Sequence, residues 1–479
     1  MQTLPRTGII QNAPLTADFP NNLRRIVQGY RECLDHGAEL VLAPATALCG
    51  PEPLGLAGRQ SFLRQTQAAL HALSLELGEV PLILGAYTNV SDVDSDEDGA
   101  DAPEAELVPY LLSNNEVSEL GEDEVLELGN TRVLVDINNT YTETTEEADL
   151  LIHLRTDPWY AGAPTADEEE GIWEAGLMNT VVISVRHTGC TGGNIYAGGS
   201  AAYSPEGHTL ARLPLFESCN KVLKLRSSTR ARALPTEAEQ LCAAIECGIR
   251  DTVRHNGYNG VCINAAAPNA DLLAALCCEA IGRSHVTLLS ASDNEKPLPL
   301  PGVRSHKLDL APLLQQAEAL VPAAADALRA RLTAAAYFSY AEAAGHMYLS
   351  TLNRRELLLG EFSLYGESCG HFAPLGNLYE MDLYMLKTHL REKYAELFGT
   401  LSEPQQPATD RILHELADRN ISATELLKER VCPFSEDEVR RVQRKLIAAA
   451  LKNTQCPTVL HADRLTERVS LPACHRMND

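Results

Sequence analysis

Short apolar runs alternate with stretches of helical periodicity along most of the chain, and this alternation restricts the fold more than any other feature. Residues 7–12 (TGIIQN) read as a strand, and residues 21–36 carry Leu23, Ile26, Val27, Tyr30 and Leu34 at helical spacing. Residues 38–44 (AELVLAP) read as a buried strand and 60–77 as a helix. Further strands are expected at 80–87 (VPLILGAY), 131–137 (TRVLVDI), 148–154 (ADLLIHL) and 179–185 (NTVVISV). Strands that alternate with helices bury their apolar faces as layers, which predicts an α/β layer fold. After the strand-like 221–227 (KVLKLRS), the segment 230–240 (RARALPTEAEQ) marks a boundary. Beyond it Leu241, Ala244, Ile245, Gly248, Ile249 and Val253 share one helix face. A strand at 260–265 (GVCINA), a helix at 272–282, a helical stretch over 309–345, a mixed segment to 400 and short helices over 408–454 complete a second α/β domain with a helical tail. The expected domains are 1–230 and 231–479, with no internal repeat.

Composition narrows the class. The 479 residues are 45% hydrophobic and 22% charged, in the range of soluble globular proteins with sizeable cores. No apolar run approaches eighteen residues, so no membrane span is expected. The first residues (MQTLPRTGIIQNAPLTADF) lack the basic-then-apolar order of a secretory signal, so a cytoplasmic location is expected. Thirteen cysteines, odd in number and without a C-x-x-C pair, read as buried reduced thiols rather than a disulfide framework. A net charge of −25 repels phosphate backbones and argues against nucleic-acid binding. Residues 91–106 place Asp94, Asp96, Asp98 and Gly99 as a calcium loop would. The twelfth position is Ala105 instead of a bidentate Glu, and Pro103 falls where the exit helix would begin, so a solvated acidic loop is expected and no metal site.

The order of elements in 1–230 resembles the carbon-nitrogen hydrolase, or nitrilase-like, domain. IIQNAPLTADFPNNLRRI resembles that family's opening strand and helix, and AELVLAPATALCG resembles its strand ending in F-P-E-L-A-L-T-G. NTVVISV…GGSAAYSPEGHTLARLPLFE resembles its closing strand, G-G-S hairpin and D-x-x-G turn. The resemblance implies an α-β-β-α sandwich and amide hydrolysis by a Glu base, an oxyanion-stabilising Lys and a Cys nucleophile. Here Ala45 occupies the Glu position, and no lysine precedes Lys221. The strand that should carry the Cys reads Leu134-Val135-Asp136-Ile137, and no cysteine lies between Cys49 and Cys190. A relocated pair, Cys190 with His187, is the remaining nucleophilic option, although its aligned place is a substrate-side loop. Loss of one member of such a set costs on the order of 10⁴ to 10⁶ in rate.

Residues 236–457 resemble the ammonia-using NAD⁺ synthetase domain, of the N-type ATP pyrophosphatase class with a Rossmann-like fold. STLNRRELLLGEFSLYGESCGHFAPLGNLYEMDLYML follows that family's T-T-G-N-K-S-E, L-Y-G-D, G-x-F-x-P and D-L-Y-K segments, and KNTQCP echoes K-R-x-Q-x-P. The resemblance implies ATP and Mg as cofactors, with an S-G-G-x-D-S loop wrapping the pyrophosphate with backbone N–H groups. In this chain the loop reads Ala266, Ala267, Pro268, Asn269, Ala270 and Asp271. Both glycines are replaced, Pro268 has no N–H, and Asp271 puts a negative charge near the expected phosphates. Leu352, Arg354 and Arg355 replace Gly, Lys and Ser, and Glu380 replaces the Lys of D-L-Y-K. Asn353, Arg354, Arg355 and Glu356 are the candidates for a residual polar pocket, with an ion-pair cluster as the alternative.

The chain therefore resembles a glutamine-dependent NAD⁺ synthetase with both sites degenerate. A non-catalytic scaffold or regulator with no bound cofactor is the leading expectation. A working synthetase with substitute residues and a small-molecule sensor in remodelled pockets are the alternatives. The resemblance also implies a homo-oligomer, dimeric through the second domain and up to octameric, with an active synthetase paralogue or another protein as a possible partner.

Overall fold

The computed structural model describes residues 4–89, 105–121, 124–137, 148–225, 231, 233–291, 298–404, 407–428 and 432–462. It divides into two compact units, Met1–Pro235 and Thr236–Asp479.

The first unit contains, in order, β1 (Thr7–Gln11), α1 (Phe19–Asp35), β2 (Leu40–Leu42), α2 (Gln60–Ser74), β3 (Leu82–Asn89), β4 (Ala105–Ser113), β5 (Glu116–Glu119), β6 (Val125–Leu128), β7 (Thr131–Ile137), β8 (Leu150–Arg155), α3 (Ala163–Met178), β9 (Val181–Arg186), β10 (Thr188–Thr191), β11 (Asn194–Ala197), β12 (Ala201–Ser204), β13 (His208–Arg212) and β14 (Cys219–Leu223). Two six-stranded sheets run β14-β1-β2-β3-β4-β5 and β13-β12-β9-β8-β7-β6, and β10 and β11 form a separate hairpin. Alternation along each strand sends one set of side chains between the sheets and the other set under the helices. Ile9, Leu40, Leu42 and Ile83 of the first sheet meet Val133, Val135, Ile152 and Ile183 of the second in one core. Ile10, Val41, Leu82 and Leu84 pack instead against Ile26, Tyr30, Leu63 and Leu70 of α1 and α2. Leu134, Leu151 and Val182 pack against Ala175 of α3. This is the α-β-β-α sandwich that the resemblance implied.

The second unit contains α4 (Glu237–His255), β15 (Gly260–Asn264), α5 (Ala270–Ile281), β16 (Val286–Ser290), β17 (Arg304–Lys307), α6 (Ala311–Leu320), α7 (Ala325–Ala343), β18 (His346–Leu349), α8 (Arg354–Leu359), β19 (Phe372–Ala373), α9 (Glu380–Leu390), α10 (Ala395–Phe398), α11 (Pro407–Leu413), α12 (Ala423–Lys428), α13 (Glu436–Asn453) and β20 (Thr458–Val459). All pairings in its sheet are parallel, in the order β17-β16-β15-β18-β19-β20. α4 starts at a reciprocal cap between Thr236 and Glu239, which satisfies backbone groups that the first helical turn leaves open. A Cβ at Gly260 would stand 2.3 Å from the His285 carbonyl oxygen, so this start of β15 accepts only glycine. The helical tail closes a core of its own, in which Leu358 and Leu359 of α8 meet Ile412, Leu426, Val439 and Val442.

Several elements escape the sequence reading. β4, β5 and β6 lie where no strand was expected. β5 (EVSE) is exposed at all four positions, so as an edge strand it has no apolar pattern to display. α3 hides behind an acidic run, and α13, with 18 residues, is a long amphipathic helix rather than a short one. β16, β17 and β18 also went unread. The candidate calcium residues Asp94, Asp96, Asp98, Gly99 and Pro103 lie outside the described residues, and Ala105 begins β4.

Candidate functional site

In the first unit the carboxyl ends of β1, β2, β7, β8 and β9 set the frame. Ala45 follows β2 and is fully buried in the core between the sheets. The backbone of β3 presses on it: a Cβ at Gly85 would lie 2.7 Å from the Ala45 carbonyl oxygen. Val135 faces the same core, while its neighbour Asp136 points to the opposite face of the sheet, as the two-residue period requires. There β7 and β8 pair in a register that sets Asp136 beside His153. The Asp136 carboxylate lies 3.2 Å from His153 Nδ1, and His153 Nε2 lies 2.8 Å from Glu174 of α3. All three side chains are buried. Burial disfavours a charged ring, but the two carboxylates outweigh it and raise the pKa of His153. His153 and Glu174 were missed by the sequence reading. The signal available was a polar residue interrupting an otherwise apolar strand, in LLIHL as in VLVDI.

The relocated pair does not gain an activated base. His187 is buried, its Nδ1 lies 3.4 Å from Thr46 Oγ1, and its Nε2 has no hydrogen-bond partner. Burial, with a smaller effect of Arg186, pushes its pKa down to about 3. So weak a base does not deprotonate a thiol near neutral pH. Cys190 sits on β10 opposite Ile195 and is likewise buried. Cys49, which follows Ala45 closely in sequence, has its thiol pushed up to about 12 by burial. Beside this hairpin Arg155 and Arg186 pair with Asp157 and Asp167, at 2.8 Å and 2.9 Å respectively, and Arg212 with Glu168 at 2.5 Å. The cavity between these groups, Trp159 and His187 is about 20 Å³, room for a single water.

In the second unit four N–H groups of the expected phosphate loop and the residue before it have partners within the unit. Ala265 N–H donates to Leu289 O, Ala266 N–H to Asn264 Oδ1, Ala267 N–H to Asn264 O and Ala270 N–H to Ala267 O. Pro268 has none to offer. Asn269, in left-handed backbone at φ 58°, turns the chain into α5. Asp271, in the first turn of α5, supplies negative charge at that helix end, and Lys387 of α9 pairs with it at 3.1 Å. Lys387 also donates to Asn269 Oδ1 at 3.4 Å.

Beside this loop lies a cavity of about 350 Å³, at the carboxyl ends of β15 and β18. Sheet order reverses between these strands, which is where open parallel sheets bind ligands. Ala266 and Ala267 line the cavity with Asn264, Tyr348, Ser350 and Thr351. The four residues considered for a residual polar pocket do not line it. Asn353 and Glu356 cap α8 reciprocally, and Asn353 Nδ2 donates to Glu380 at 2.7 Å. Arg354 pairs with Asp418 at 2.5 Å and Arg355 with Asp410 at 2.6 Å. The Asn353–Glu356 segment is thus spent on helix capping and ion pairs that fasten α8 to the tail, because both arginines meet buried acids there. Leu352 packs with Leu357 and Phe362. Among the described residues no group of three or more His, Cys, Asp or Glu is arranged to hold a metal ion, and no helix is long and apolar enough to cross a membrane.

The profile of the family described as NAD synthase matches residues 241–394. Glutamine-dependent NAD(+) synthetases from Synechocystis sp. and Thermotoga maritima are each 22% identical to this chain. The first alignment covers 88% of this chain and 90% of the relative, the second 80% of each. Over most of its length the chain is thus similar to glutamine-dependent NAD⁺ synthetases. Two solved structures share the fold. A glutamine-dependent NAD(+) synthetase from Cytophaga hutchinsonii has a TM-score of 0.81 at 12% identity, over 98% of this chain and 97% of that one. The enzyme from Acinetobacter baumannii, in complex with adenosine diphosphate, has a TM-score of 0.73 at 17% identity, over 97% and 98%. Both units therefore share their fold with these two enzymes.

Proposed function

We propose that this NAD⁺ synthetase-like protein no longer catalyses the family reaction and acts as a non-catalytic scaffold or regulator. The observation that carries the reading is the loop from Asn264 to Asp271, whose N–H groups at 265, 266, 267 and 270 are bonded within the unit. A polyphosphate needs those donors, and its charge would meet the Asp271 carboxylate instead of open N–H groups. Ala45, Val135 and the absence of any lysine before Lys221 support the same reading in the first unit. The test is NAD⁺ formation from nicotinic acid adenine dinucleotide and ATP, with glutamine or ammonia as nitrogen donor. No turnover above a protein-free blank is expected, and measurable turnover would overturn the reading.

A second reading, a working glutamine-dependent synthetase with substitute residues, is favoured by one observation. The alignment to the Synechocystis enzyme spans 90% of that enzyme and 88% of this chain, and so takes in both units. The same assay separates the two. Homo-oligomerisation through the second unit, association with an active synthetase and a cytoplasmic location belong to the first reading. A monomeric mass in solution, alone and with an active synthetase added, would count against that assembly role.

A further inference from the structure

We propose that the outer face of α3 docks on the outer face of α13 of a second copy of the chain. The inference deepens the assembly part of the reading above by naming the surfaces, and it uses neither candidate site.

Both faces follow from helix geometry. α3 turns Gly171, Glu174 and Ala175 into the first unit, which leaves Glu169, Trp173 and Leu177 in one row on its other side. Trp173 is 66% exposed and Leu177 65%, and the two are one helical turn apart. Single apolar residues on a surface are ordinary, whereas two large ones in adjacent turns of one helix make a patch. α13 buries Val439, Val442 and Leu446 in the tail core. Its exposed side carries Arg441, Arg444, Lys445, Ala448 and Leu451 in succession, with Leu451 56% exposed.

The two rows match in charge, size and spacing. With the helices parallel, Glu169 and Glu170 meet Arg444 and Lys445, Trp173 meets Ala448 and Leu177 meets Leu451. Trp173 lies four residues beyond Glu169, as Ala448 does beyond Arg444. The leucines end the rows about 12 Å and about 10 Å from those charges at the rise of an α-helix. The large indole faces the small methyl of Ala448, as one helix's ridge fits another's groove. Among the described residues Glu169, Arg441 and Arg444 make no ion pair, while Lys445 meets Glu361 and Glu170 meets Arg155 in partly exposed contacts.

Charge also decides which pairing is favoured. Two α3 faces together would set acids near acids, and two α13 faces arginines near arginines. Only the unlike contact brings opposite signs together, and it does so against the repulsion expected between copies that each carry a net charge of −25. In a dimer with a twofold axis a contact between unlike faces occurs twice.

The test is sedimentation equilibrium on the full chain at micromolar concentration. The chain should self-associate, and its dissociation constant should rise about tenfold from low to high salt because the charged rows are exposed. Trp173→Ala should weaken association about tenfold or more at unchanged melting temperature. Glu169→Arg and Arg444→Glu should each weaken it several-fold, and a chain that carries both should associate as the wild type does. A monomer at every concentration, association indifferent to these substitutions, or no recovery in the double variant would overturn the proposal. If the chain stays monomeric and Trp173 instead governs binding to an added active synthetase, the α3 face has another occupant and the proposal falls as well. NAD⁺ turnover would remove the non-catalytic reading and leave this contact standing.

Discussion

His153 Nε2 stands 2.8 Å from the Glu174 carboxylate, joining the middle of β8 to the buried face of α3. The opposite ring nitrogen is 3.2 Å from Asp136, so one imidazole bridges two acids in a dry layer. The folded pKa of His153 is raised above its ordinary 6.5. A raised basic group stabilises fully below its unfolded value, and that contribution is lost as pH rises through the folded value. The stability gap between the wild type and His153→Gln should therefore be largest near pH 6 and shrink towards alkaline pH. Thermal unfolding across this range checks it, and a gap that widens with pH would contradict the assignment.

Arg354 should matter more than an exposed arginine. Its partner Asp418 is almost completely buried and also accepts from Tyr379 Oη at 2.5 Å. Burial raises the Asp418 pKa, but His414, Arg354 and Tyr379 together bring it below the usual 3.8. Its stabilisation is therefore present above pH 4 and lost as pH falls through the lowered value. Arg354→Ala strands a buried carboxylate and should cost about 3–5 kcal/mol at pH 7. Lys445→Ala, which breaks an exposed pair with Glu361, should cost about 1 kcal/mol or less. Chemical denaturation of both variants decides whether the Arg354–Asp418 pair is structural to this degree.

The parts of the fold that were legible in the sequence are those whose burial leaves a pattern. β7, β8 and β9 are apolar over consecutive residues because both faces of their sheet are covered. β5 is polar throughout because it ends a sheet, and α3 carries acids that fold back onto Arg155, Arg186 and Arg212. At the sites, the identities of Ala45, Pro268 and Asp271 were readable, but their partners were not. Lys387 is more than a hundred residues from Asp271, and Asp410 and Asp418 lie in the tail, far from Arg355 and Arg354 in sequence. Local spacing carries no record of such pairings. That is why the sequence left Asn353, Arg354, Arg355 and Glu356 open between a polar pocket and an ion-pair cluster.

Thiol chemistry offers a direct check on the first unit. Burial pushes the thiols of Cys33 and Cys49 up to about 12, and those of Cys242 and Cys262 in the second unit reach about 12 as well. At pH 8 the thiolate fraction of such a group is on the order of 10⁻⁴, and the thiolate is the reacting species. Iodoacetamide at pH 8 should leave these four unmodified in the folded chain and alkylate them after denaturation. Peptide mass mapping reads the result, and rapid native labelling of Cys49 would reveal a reactive thiol.

Placing an acid at position 45 should harm the protein rather than give it glutaminase activity. Ala45 is fully buried among Ile9, Leu42, Ile83 and Val135, and no lysine in the first 220 residues can meet a carboxylate there. An unpaired buried carboxylate is driven towards its neutral form, so the pKa of the introduced group should rise above its ordinary value of about 4.3. A raised acid destabilises increasingly as pH climbs past that ordinary value, because the unfolded chain ionises first. Ala45→Glu should therefore lower stability by about 3 kcal/mol or more at pH 7 and by less at pH 4.5, beyond the strain of inserting the longer chain. Glutamine hydrolysis should stay at the blank, since His187 is held neutral by burial and Val135 supplies no nucleophile. Unfolding curves at the two pH values test the first expectation, and ammonia release from glutamine tests the second. A stable variant that releases ammonia would mean that a nucleophile and an oxyanion donor already stand in place around position 45.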